Sequence, residues 1–315
     1  MDETTLAQYI KEIGRGKNAA RDLSRDDARS LFTAMLGGLV PDLQLGAILI
    51  ALRVKGEALD ELAGFAAACE ASYNHLPALS DAAVPVVIPS YNGARQLPNL
   101  VPLLALLLAR EGIPVLIHGV MRDAGRVSTR EVLEALQIQP CMTPAEVRIR
   151  LAESRLAFMP IEAMAPEIAS MLGLRAMLGV RNSAHTLAKM LQPFAGPAVR
   201  IVSVTHPEYL TRMREYFTTC DSDALILRGA EGEAVVHPRR EPAIAWAHDG
   251  ASEVWTQDSP GAAGPDLPVD REAHTTARWI EAVLEGEIPV PATIAHQVAC
   301  CRRAVNIIQA HRLSS

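Results

Sequence analysis

The chain has 315 residues and carries 30 Lys and Arg against 36 Asp and Glu, a formal net charge of −6. Because 49% of the residues are hydrophobic and only 21% are charged, the composition is typical of a globular protein of about two domains and excludes a disordered chain. The net acidic charge weighs against a nucleic-acid partner, since phosphate binding favours a basic surface.

The chain also lacks the usual marks of export. Residues 1–5 are acidic, without the basic and apolar layout of a signal peptide. The longest apolar stretch, residues 101–109, contains Pro102 and is too short to cross a bilayer. The five cysteines show no metal-ligand spacing, and their odd number fits reduced thiols. We therefore expect a cytoplasmic protein with no membrane partner.

The first 75 residues are predicted to be helical throughout. Apolar residues recur at helical spacing over residues 6–13, and Ser24 is a favourable N-cap for a second helix. A third helix over residues 43–54 is apolar almost all round, which predicts that it is buried. A fourth helix covers residues 59–73. Short connections between the helices indicate a small helical bundle.

Beyond residue 84 the pattern changes to short strands that alternate with helices. Such alternation implies βαβ units and a mainly parallel central sheet covered by helices. Helices are predicted over residues 99–110, 129–136 and 294–311, and residues 250–270 are expected to form an exposed excursion. The predicted strands cover residues 84–88, 114–118, 157–159, 199–204 and 224–227.

The predicted architecture is therefore α/β with two domains. A helical domain covers residues 1–78, and helices from residues 164–194 are expected to join it. A larger α/β domain covers residues 79–315. Ligand groups are expected at the carboxyl ends of the parallel strands.

The turn that follows the first predicted strand is a candidate anion site. It reads Pro89-Ser90-Tyr91-Asn92-Gly93-Ala94-Arg95 and leads into a helix. Backbone N–H groups at such a turn can hold an anion. An ordinary strand-to-helix connection is the simpler interpretation of this turn when it is taken alone.

Several segments in a fixed order identify a family. Residues 44–57 read QLGAILIALRVKGE, residues 132–136 read VLEAL and residues 178–181 read LGVR. They resemble the N-terminal signature, the segment after the KHGN motif and the LGIRTxFN segment of anthranilate phosphoribosyltransferases, which have the glycosyltransferase family 3 fold. The resemblance covers most of the chain and implies a small helical domain followed by an α/β domain.

The same resemblance places the family's catalytic motifs on residues that lack the required chemistry. The glycine-rich pyrophosphate loop falls on a segment where Pro89 has no N–H to donate and Tyr91 adds bulk. The next motif, NxST, keeps Asn99 but loses both hydroxyls. The KHGN motif keeps His118 and Gly119 but loses its lysine and its asparagine.

The resemblance also bears on metal and substrate. The family's magnesium-binding Asp-Glu pair falls on Ala234 and Val235, which cannot bind a hard cation. Glu231 and Glu233 lie nearby and either substitute as ligands or form a solvated turn, the simpler interpretation. We expect no cofactor, and magnesium only if transferase activity persists. The resemblance assigns a remnant phosphate and substrate cleft to Ser90, Tyr91, Asn92, Gly93, Asn99, His118, Gly119 and Arg175.

Three further segments resemble a divergent branch of the family, the YbiB-type proteins: PSYNGAR at 89–95, RNSAHTLAK at 181–189 and RGAEGE at 228–233. The branch implies a non-enzymatic homodimer, joined through the helical domain, that binds single- or double-stranded DNA or RNA with little sequence preference. The alternative is a phosphoribosyl or glycosyl transferase with altered or residual activity on a phosphoribosyl pyrophosphate-like substrate. A third possibility is a nucleotide or small-molecule sensor that uses the cleft without turnover.

The distribution of charge along the chain permits nucleic-acid binding. Residues 79–219 carry a net charge of +3, and 13 of their 14 basic residues are arginine, which is well suited to phosphate contacts. Tyr91 either stacks on a base or fills the space of the former substrate. The predicted nucleic-acid contacts, each alternatively part of a solvated helix face, are Arg122, Arg126, Arg130, Arg181, His185, Lys189, Arg212 and Arg214.

Overall fold

A computed structural model describes residues 3–16, 19–79, 83–205, 207–257, 259–260 and 265–314. The chain splits into two compact units. Unit 1 comprises Met1–Asn74 and Met164–Leu191, and unit 2 comprises His75–Ala163 and Gln192–Ser315. No helix within the described ranges is both long and apolar enough to cross a membrane.

The helices agree with the sequence prediction for most of the chain. The prediction missed α7 and α13, although the buried residues Thr276, Ile280 and Val283 of α13 recur at helical spacing. In chain order the helices are α1 (Glu3–Ile13), α2 (Arg25–Leu36), α3 (Asp42–Lys55), α4 (Leu59–Glu70), α5 (Val101–Arg110), α6 (Thr129–Ala135), α7 (Pro144–Ser154), α8 (Ile161–Met164), α9 (Pro166–Gly173), α10 (Arg175–Leu178), α11 (Ala184–Leu187), α12 (Pro207–Thr219), α13 (Ala273–Glu285) and α14 (Ala292–Ser314).

Unit 1 is a helical bundle whose helices α2 and α4 pack closely. Ser24 caps α2, and its hydroxyl accepts a first-turn backbone N–H at 3.2 Å. A Cβ atom on Gly64 of α4 would lie only 2.3 Å from the carbonyl oxygen of Arg25. The close approach lets the rings of Phe32 and Phe65 meet with their centroids 4.9 Å apart.

The prediction that α3 is buried is wrong for one face of the helix. Burial was inferred because apolar residues surround the helix, but in this chain only one side is covered. The buried residues are Ile48, Leu49 and Leu52. The exposed large apolar residues of α3 are Leu43, Ile50 and Val54, with relative exposures of 87%, 39% and 60%.

Unit 2 is built on a seven-stranded sheet with the order β3-β2-β1-β4-β5-β7-β8. The first five strands in sequence pair in parallel, as predicted. They run β1 (Val86–Ser90), β2 (Val115–Gly119), β3 (Leu156–Pro160), β4 (Val199–Val204) and β5 (Ala224–Arg228); β6 (Arg240–Glu241), β7 (Ile244–His248), β8 (Ala251–Thr256) and β9 (Ser259–Pro260) follow.

The sheet continues where the sequence prediction placed an exposed excursion. β7 and β8 form an antiparallel hairpin on the edge beyond β5, so the prediction is wrong for β8. Asp249 and Gly250 connect the two strands with φ values of 50° and 64°. An Asp-Gly pair with two positive φ angles is typical of a two-residue hairpin turn, and this signal in the sequence was missed.

The topology fixes where a ligand site is expected. The chain passes from β1 outward to β2 and β3, and then returns to β4 on the other side of β1. The carboxyl ends of β1 and β4 therefore flank a topological switch point, the usual ligand crevice of an open parallel sheet. The turn after β1 and the loop after β5 begin at this edge.

Candidate functional site: the remnant phosphate loop

Two loops meet at the carboxyl edge of the sheet in unit 2. The first, residues 91–97, follows β1, and we call it the anion loop. The second, residues 229–236, follows β5, and we call it the acidic loop. The side chains of Glu231 and Glu233 in the acidic loop reach backbone N–H groups of the anion loop.

Glu233 is a buried carboxylate, 3% exposed, that binds the first half of the anion loop. Its Oε1 accepts the backbone N–H groups of Asn92 and Gly93, each at 2.6 Å. Its Oε2 accepts the hydroxyl of Ser90 at 2.6 Å. Successive backbone N–H groups in a turn form an anion-binding concavity. In this protein the occupant of that concavity is the chain's own carboxylate.

Glu231 binds the second half of the anion loop. Its carboxylate accepts the backbone N–H groups of Arg95 at 2.8 Å, Gln96 at 3.0 Å and Leu97 at 3.3 Å. The two glutamates thus satisfy five backbone donors that precede α5. The interpretation of these residues as a solvated turn is wrong for Glu233, because that side chain is buried.

The backbone conformation of the acidic loop directs the two carboxylates towards the anion loop. Glu231 has a φ of 52°, a left-handed conformation that costs a residue with a side chain about 1 kcal/mol. Gly232 has a φ of 84°, and a Cβ atom there would lie 1.9 Å from the side-chain nitrogen Nδ2 of Asn92. The fully buried Gln297 of α14 holds the following residues, since its side chain bonds to Ala234 O and to the N–H of Val236, each at 2.9 Å.

A buried network of hydroxyl and amide groups extends from Glu233. Ser90 Oγ lies 2.8 Å from Thr129 Oγ1 at the start of α6. Asn99 bonds to Thr129 Oγ1 and, through its Nδ2, to Val127 O at 3.2 Å. Asn99, retained from the family motif, therefore fixes the loop before α6. No sequence pattern marked Thr129 as part of the site, because it lies 39 residues from Ser90.

Tyr91 and His118 form a second buried pair. Tyr91 Oη lies 2.6 Å from His118 Nδ1. Tyr91 is only 3% exposed and His118 is fully buried, so Tyr91 fills space rather than presenting a stacking surface. Burial lowers the pKa of His118 from 6.5 to about 3. Within the described ranges, the Nε2 atom of His118 is buried without a hydrogen-bond partner.

Gly119 has a packing reason to be glycine. It is the last residue of β2 and lies opposite Ser90 in the strand register. A Cβ atom on Gly119 would lie 2.0 Å from the carbonyl oxygen of Ser90. The family residues retained in unit 2, namely Asn99, His118 and Gly119, therefore form internal hydrogen bonds or pack within the protein.

The donor set of this site does not fit the magnesium that the family resemblance implies. Ala234 and Val235 are buried and have no side-chain oxygen. The oxygens of Glu231 and Glu233 accept N–H and O–H groups, which occupy the lone pairs that a cation would need. Across the described residues, no group of three or more His, Cys, Asp or Glu side chains is arranged to hold a metal ion.

Two arginine side chains of unit 2 bond to carbonyl groups of the anion loop. Arg126 donates from Nη1 to Asn92 O at 3.2 Å. Arg271 donates from Nη1 to Arg95 O at 2.5 Å and to Gly125 O at 3.2 Å. Arg95 and Arg122 are exposed. We call these four residues the loop arginines; the sequence prediction included Arg122 and Arg126 but missed the other two.

The remaining predicted arginines of unit 2 do not form a cluster. Arg130 is paired with Glu134 one turn along α6 at 2.7 Å. On α12, Arg212 lies over the ring of Tyr209, whereas Arg214 donates from Nε to Ser252 Oγ at 3.0 Å. Residues two apart on a helix point in different directions, which explains why these two arginines diverge.

The predicted basic residues of unit 1 do lie together. Burial, followed by the charges of Arg181, Arg175 and Lys189, lowers the pKa of His185 to about 4. Three positive charges are therefore close enough to disfavour a fourth on the imidazole. Their grouping does not come from one helix, because α11 spans only Ala184–Leu187.

Comparisons with known proteins show which family this chain is similar to in sequence and in fold. Residues 7–72 match the family model described as glycosyl transferase family, helical bundle domain. YbiB, an uncharacterized protein of Escherichia coli (strain K12), is 46% identical over 298 residues, which cover 93% of this chain and 92% of that protein. The chain belongs to the anthranilate phosphoribosyltransferase-like family, in the branch that includes YbiB.

More distant relatives of this chain carry the name of an enzyme, anthranilate phosphoribosyltransferase. The anthranilate phosphoribosyltransferase of Sinorhizobium medicae is 31% identical over 217 residues, 69% of this chain and 64% of that protein. The crystal structure of the Thermus thermophilus enzyme is similar in fold, with a TM-score of 0.70 and 20% identity over 98% of this chain and 96% of that one. The Saccharomyces cerevisiae enzyme in complex with PRPP and Mg gives a TM-score of 0.65 at 14% identity, over 99% and 96%.

We predict that Glu233 is essential for the stability of unit 2. Glu233→Ala leaves the buried N–H groups of Asn92 and Gly93 without an acceptor, at about 1–3 kcal/mol each, so the free energy of unfolding should fall by about 2 kcal/mol or more. The Ser90 hydroxyl keeps Thr129 Oγ1 as an acceptor. Urea unfolding followed by tryptophan fluorescence measures this, because Trp246, Trp255 and Trp279 all belong to unit 2. Glu281→Ala, on the exposed surface of α13, is the control and should change little. Equal stability of Glu233→Ala and wild type would contradict the assignment.

The buried imidazole of His118 should make unit 2 sensitive to acid. Its pKa is about 3 in the folded protein and 6.5 when exposed, so the unfolded state takes up the proton first and stability falls as pH drops through this window. Relative to His118→Gln, wild type should lose about 1.4 kcal/mol of unfolding free energy per pH unit between about pH 6 and pH 4. Parallel pH profiles for the two proteins would show that the imidazole is not held neutral.

Proposed function

We propose that this protein is a non-enzymatic homodimer that binds DNA or RNA with little sequence preference. The observation that carries the proposal is the occupation of the anion loop by Glu231 and Glu233. Phosphoribosyl transfer needs positioned donors to stabilise the departing pyrophosphate. Here the donors are already satisfied, and two carboxylates lie where negative charge would have to enter. The transferase alternative is therefore the weaker one.

The loop arginines support a polyanion partner. Arg126 and Arg271 bond to neutral backbone carbonyl groups, and neither guanidinium forms an ion pair with a residue of the described ranges. Both side chains are half-buried, and the exposed Arg95 belongs to the anion loop. Arginine is the residue most suited to phosphate oxygens, and backbone contacts of this kind bind nucleic acid without reading its sequence.

The basic group on unit 1 is a second region suited to phosphate. Arg175, Arg181 and Lys189 lie near enough to one another to depress the pKa of His185. Since this group and the loop arginines belong to different units, a nucleic-acid strand has more than one set of contacts available.

The exposed face of α3 supports dimerisation through the helical domain. Leu43, Ala47, Ile50 and Val54 are exposed and fall at the i, i+4, i+7 and i+11 positions of a single stripe. In an antiparallel pairing of α3 with a second copy, Leu43 meets Val54 and Ala47 meets Ile50. The stripe is therefore complementary to a second copy of itself in antiparallel orientation, as a two-fold symmetric interface requires.

The nucleic-acid proposal predicts binding that depends on the loop arginines and on salt. Labelled single- and double-stranded oligonucleotides should bind at low salt in fluorescence anisotropy, and affinity should fall steeply as salt is added. Arg95→Glu/Arg122→Glu should weaken binding at least tenfold and reduce the salt slope by about 0.7 per lost contact to a single strand. Arg278→Glu, exposed on α13, is the matched control.

Two results would overturn this proposal at different levels. Absence of binding by wild type at low salt would reject nucleic-acid binding itself. Unchanged affinity of Arg95→Glu/Arg122→Glu would reject the loop arginines as the contact. Arg212→Glu/Arg214→Glu should have the smaller effect, because those two side chains diverge.

The dimer proposal is tested through the stripe on α3. Light scattering coupled to size exclusion should give a dimer for wild type and a monomer for Leu43→Glu/Ile50→Glu, because two charges on the stripe cannot be buried against a second copy. Ile149→Glu replaces an apolar residue on α7 that is 52% exposed and should remain dimeric. A monomeric wild type, or a dimeric double variant, would contradict the proposal.

A further inference from the structure

The anion loop contains a residue pair that is prone to spontaneous deamidation in an unfolded chain. Asn92 is followed directly by Gly93, and this is the one Asn-Gly pair of the sequence. Asparagine is among the thermolabile residues. It loses ammonia fastest when glycine follows, because no Cβ atom shields the backbone nitrogen that attacks the side-chain amide. This pair is therefore the position at which the chemistry of the chain favours modification most.

The reaction involves two nitrogen atoms and needs only water. The backbone nitrogen of Gly93 loses its proton and bonds to Cγ of Asn92, while the bond from Cγ to Nδ2 breaks and Nδ2 leaves as ammonia. Water then opens the cyclic succinimide and leaves aspartate or isoaspartate at position 92. No electron is transferred, and the chain gains a negative charge.

The acidic loop holds both of the nitrogen atoms that would react. Gly93 N donates to Glu233 Oε1 at 2.6 Å, and Asn92 Nδ2 donates to the backbone oxygen of Glu231 at 3.1 Å. The side chain of Asn92 is also enclosed, because a Cβ atom on Gly232 would lie 1.9 Å from Nδ2. Cyclisation requires the side chain and the backbone nitrogen to move towards each other, and both bonds oppose that movement.

Burial and the neighbouring backbone add to this restraint. Asn92 is 2% exposed, so the water that opens a succinimide has little access to it. Arg126 Nη1 donates to Asn92 O at 3.2 Å, and Ala94 exchanges backbone hydrogen bonds with Val127 at 2.8 and 2.9 Å. Groups held in this way react through local opening of the structure. The bonds from the acidic loop are the ones that act on the reacting atoms themselves.

The product of the reaction does not fit the docked acidic loop. A carboxylate at position 92 would have no Nδ2 proton to donate to the backbone oxygen of Glu231. It would also place a negative charge close to the buried Glu233 carboxylate, which accepts the N–H of the same residue. Like charges repel strongly where water is excluded. The modified chain should therefore release the acidic loop from the anion loop.

We propose that Asn92-Gly93 is a deamidation site that the docked acidic loop keeps unreacted and whose conversion releases that loop irreversibly. Opening of the acidic loop frees both reacting atoms, and deamidation then prevents the loop from docking again. The proposal goes beyond nucleic-acid binding and is independent of it, because it concerns bonds within unit 2 and requires no partner.

Peptide mass spectrometry after incubation at mildly alkaline pH tests protection by the acidic loop. Folded wild type should convert Asn92 roughly tenfold or more slowly than wild type unfolded in guanidinium chloride, since only the open fraction reacts. Glu233→Ala should raise the rate in the folded protein about tenfold or more, because a hydrogen bond to a charged group is lost. Gly232→Ala, whose methyl group displaces Nδ2, should also raise it. Gly46→Ala on α3, where nothing lies within 4 Å of the added Cβ, is the matched control.

A further control separates loop opening from general loss of stability. Val283→Ala shortens a buried side chain of α13 and lowers the free energy of unfolding, but it leaves the acidic loop docked and should not raise the rate. Asn99 precedes Leu100 rather than glycine and should remain an amide in the same digests. Equal rates in folded and unfolded wild type, unchanged rates in both loop variants, or an equal increase in Val283→Ala would overturn the proposed protection.

The release of the acidic loop is tested with Asn92→Asp, which supplies the aspartate product directly. Hydrogen exchange should become faster over residues 91–97 and 229–236 in this variant and stay as in wild type over α13. Asn92→Ala, which removes the Nδ2 donor without adding a charge, should show a smaller increase. Exchange in Asn92→Asp as slow as in wild type would show that the docked loop accepts the product and would overturn its release.

Discussion

The bond between the Glu233 carboxylate and the amides of Asn92 and Gly93 is the interaction on which the rest of this site depends. Two N–H groups and a hydroxyl converge on a buried anion, and a free anion that displaced it would leave a buried carboxylate without donors, at a cost of about 3–5 kcal/mol. The internal anion also loses no translational entropy on binding, because it belongs to the same chain. A free phosphate would have to displace this internal anion in order to enter the anion loop.

The family residues that this chain retains also take part in structural contacts around this interaction. Gly119 admits the carbonyl of Ser90, Asn99 fixes the loop before α6, and His118 is buried against Tyr91. Each has a structural reason that is independent of substrate. The fold of the family therefore contains, in this chain, a hydrogen-bond network in which two side-chain carboxylates occupy the anion loop.

The sequence predicted the fold well and the site only in part. The helical spacing of apolar residues that marked α1 and the N-cap that marked α2 are local signals, and the order of the family segments is read directly along the chain. The role of Glu233 depends on a contact with Asn92 across 141 residues, for which a single sequence holds no signal beyond the glycines on either side of Glu231. Exposure of one face of α3 was equally invisible, because hydrophobicity alone does not say which face another helix covers.

The most direct test of the central claim is calorimetry with phosphoribosyl pyrophosphate in the presence of magnesium. If the anion loop is occupied by Glu231 and Glu233, wild type should show no saturable heat at the concentrations where the transferases of this family bind it. Saturable, magnesium-dependent binding at one molecule per chain, abolished by substitution of Ser90 or Asn92, would show that the loop still accepts pyrophosphate and would contradict the account.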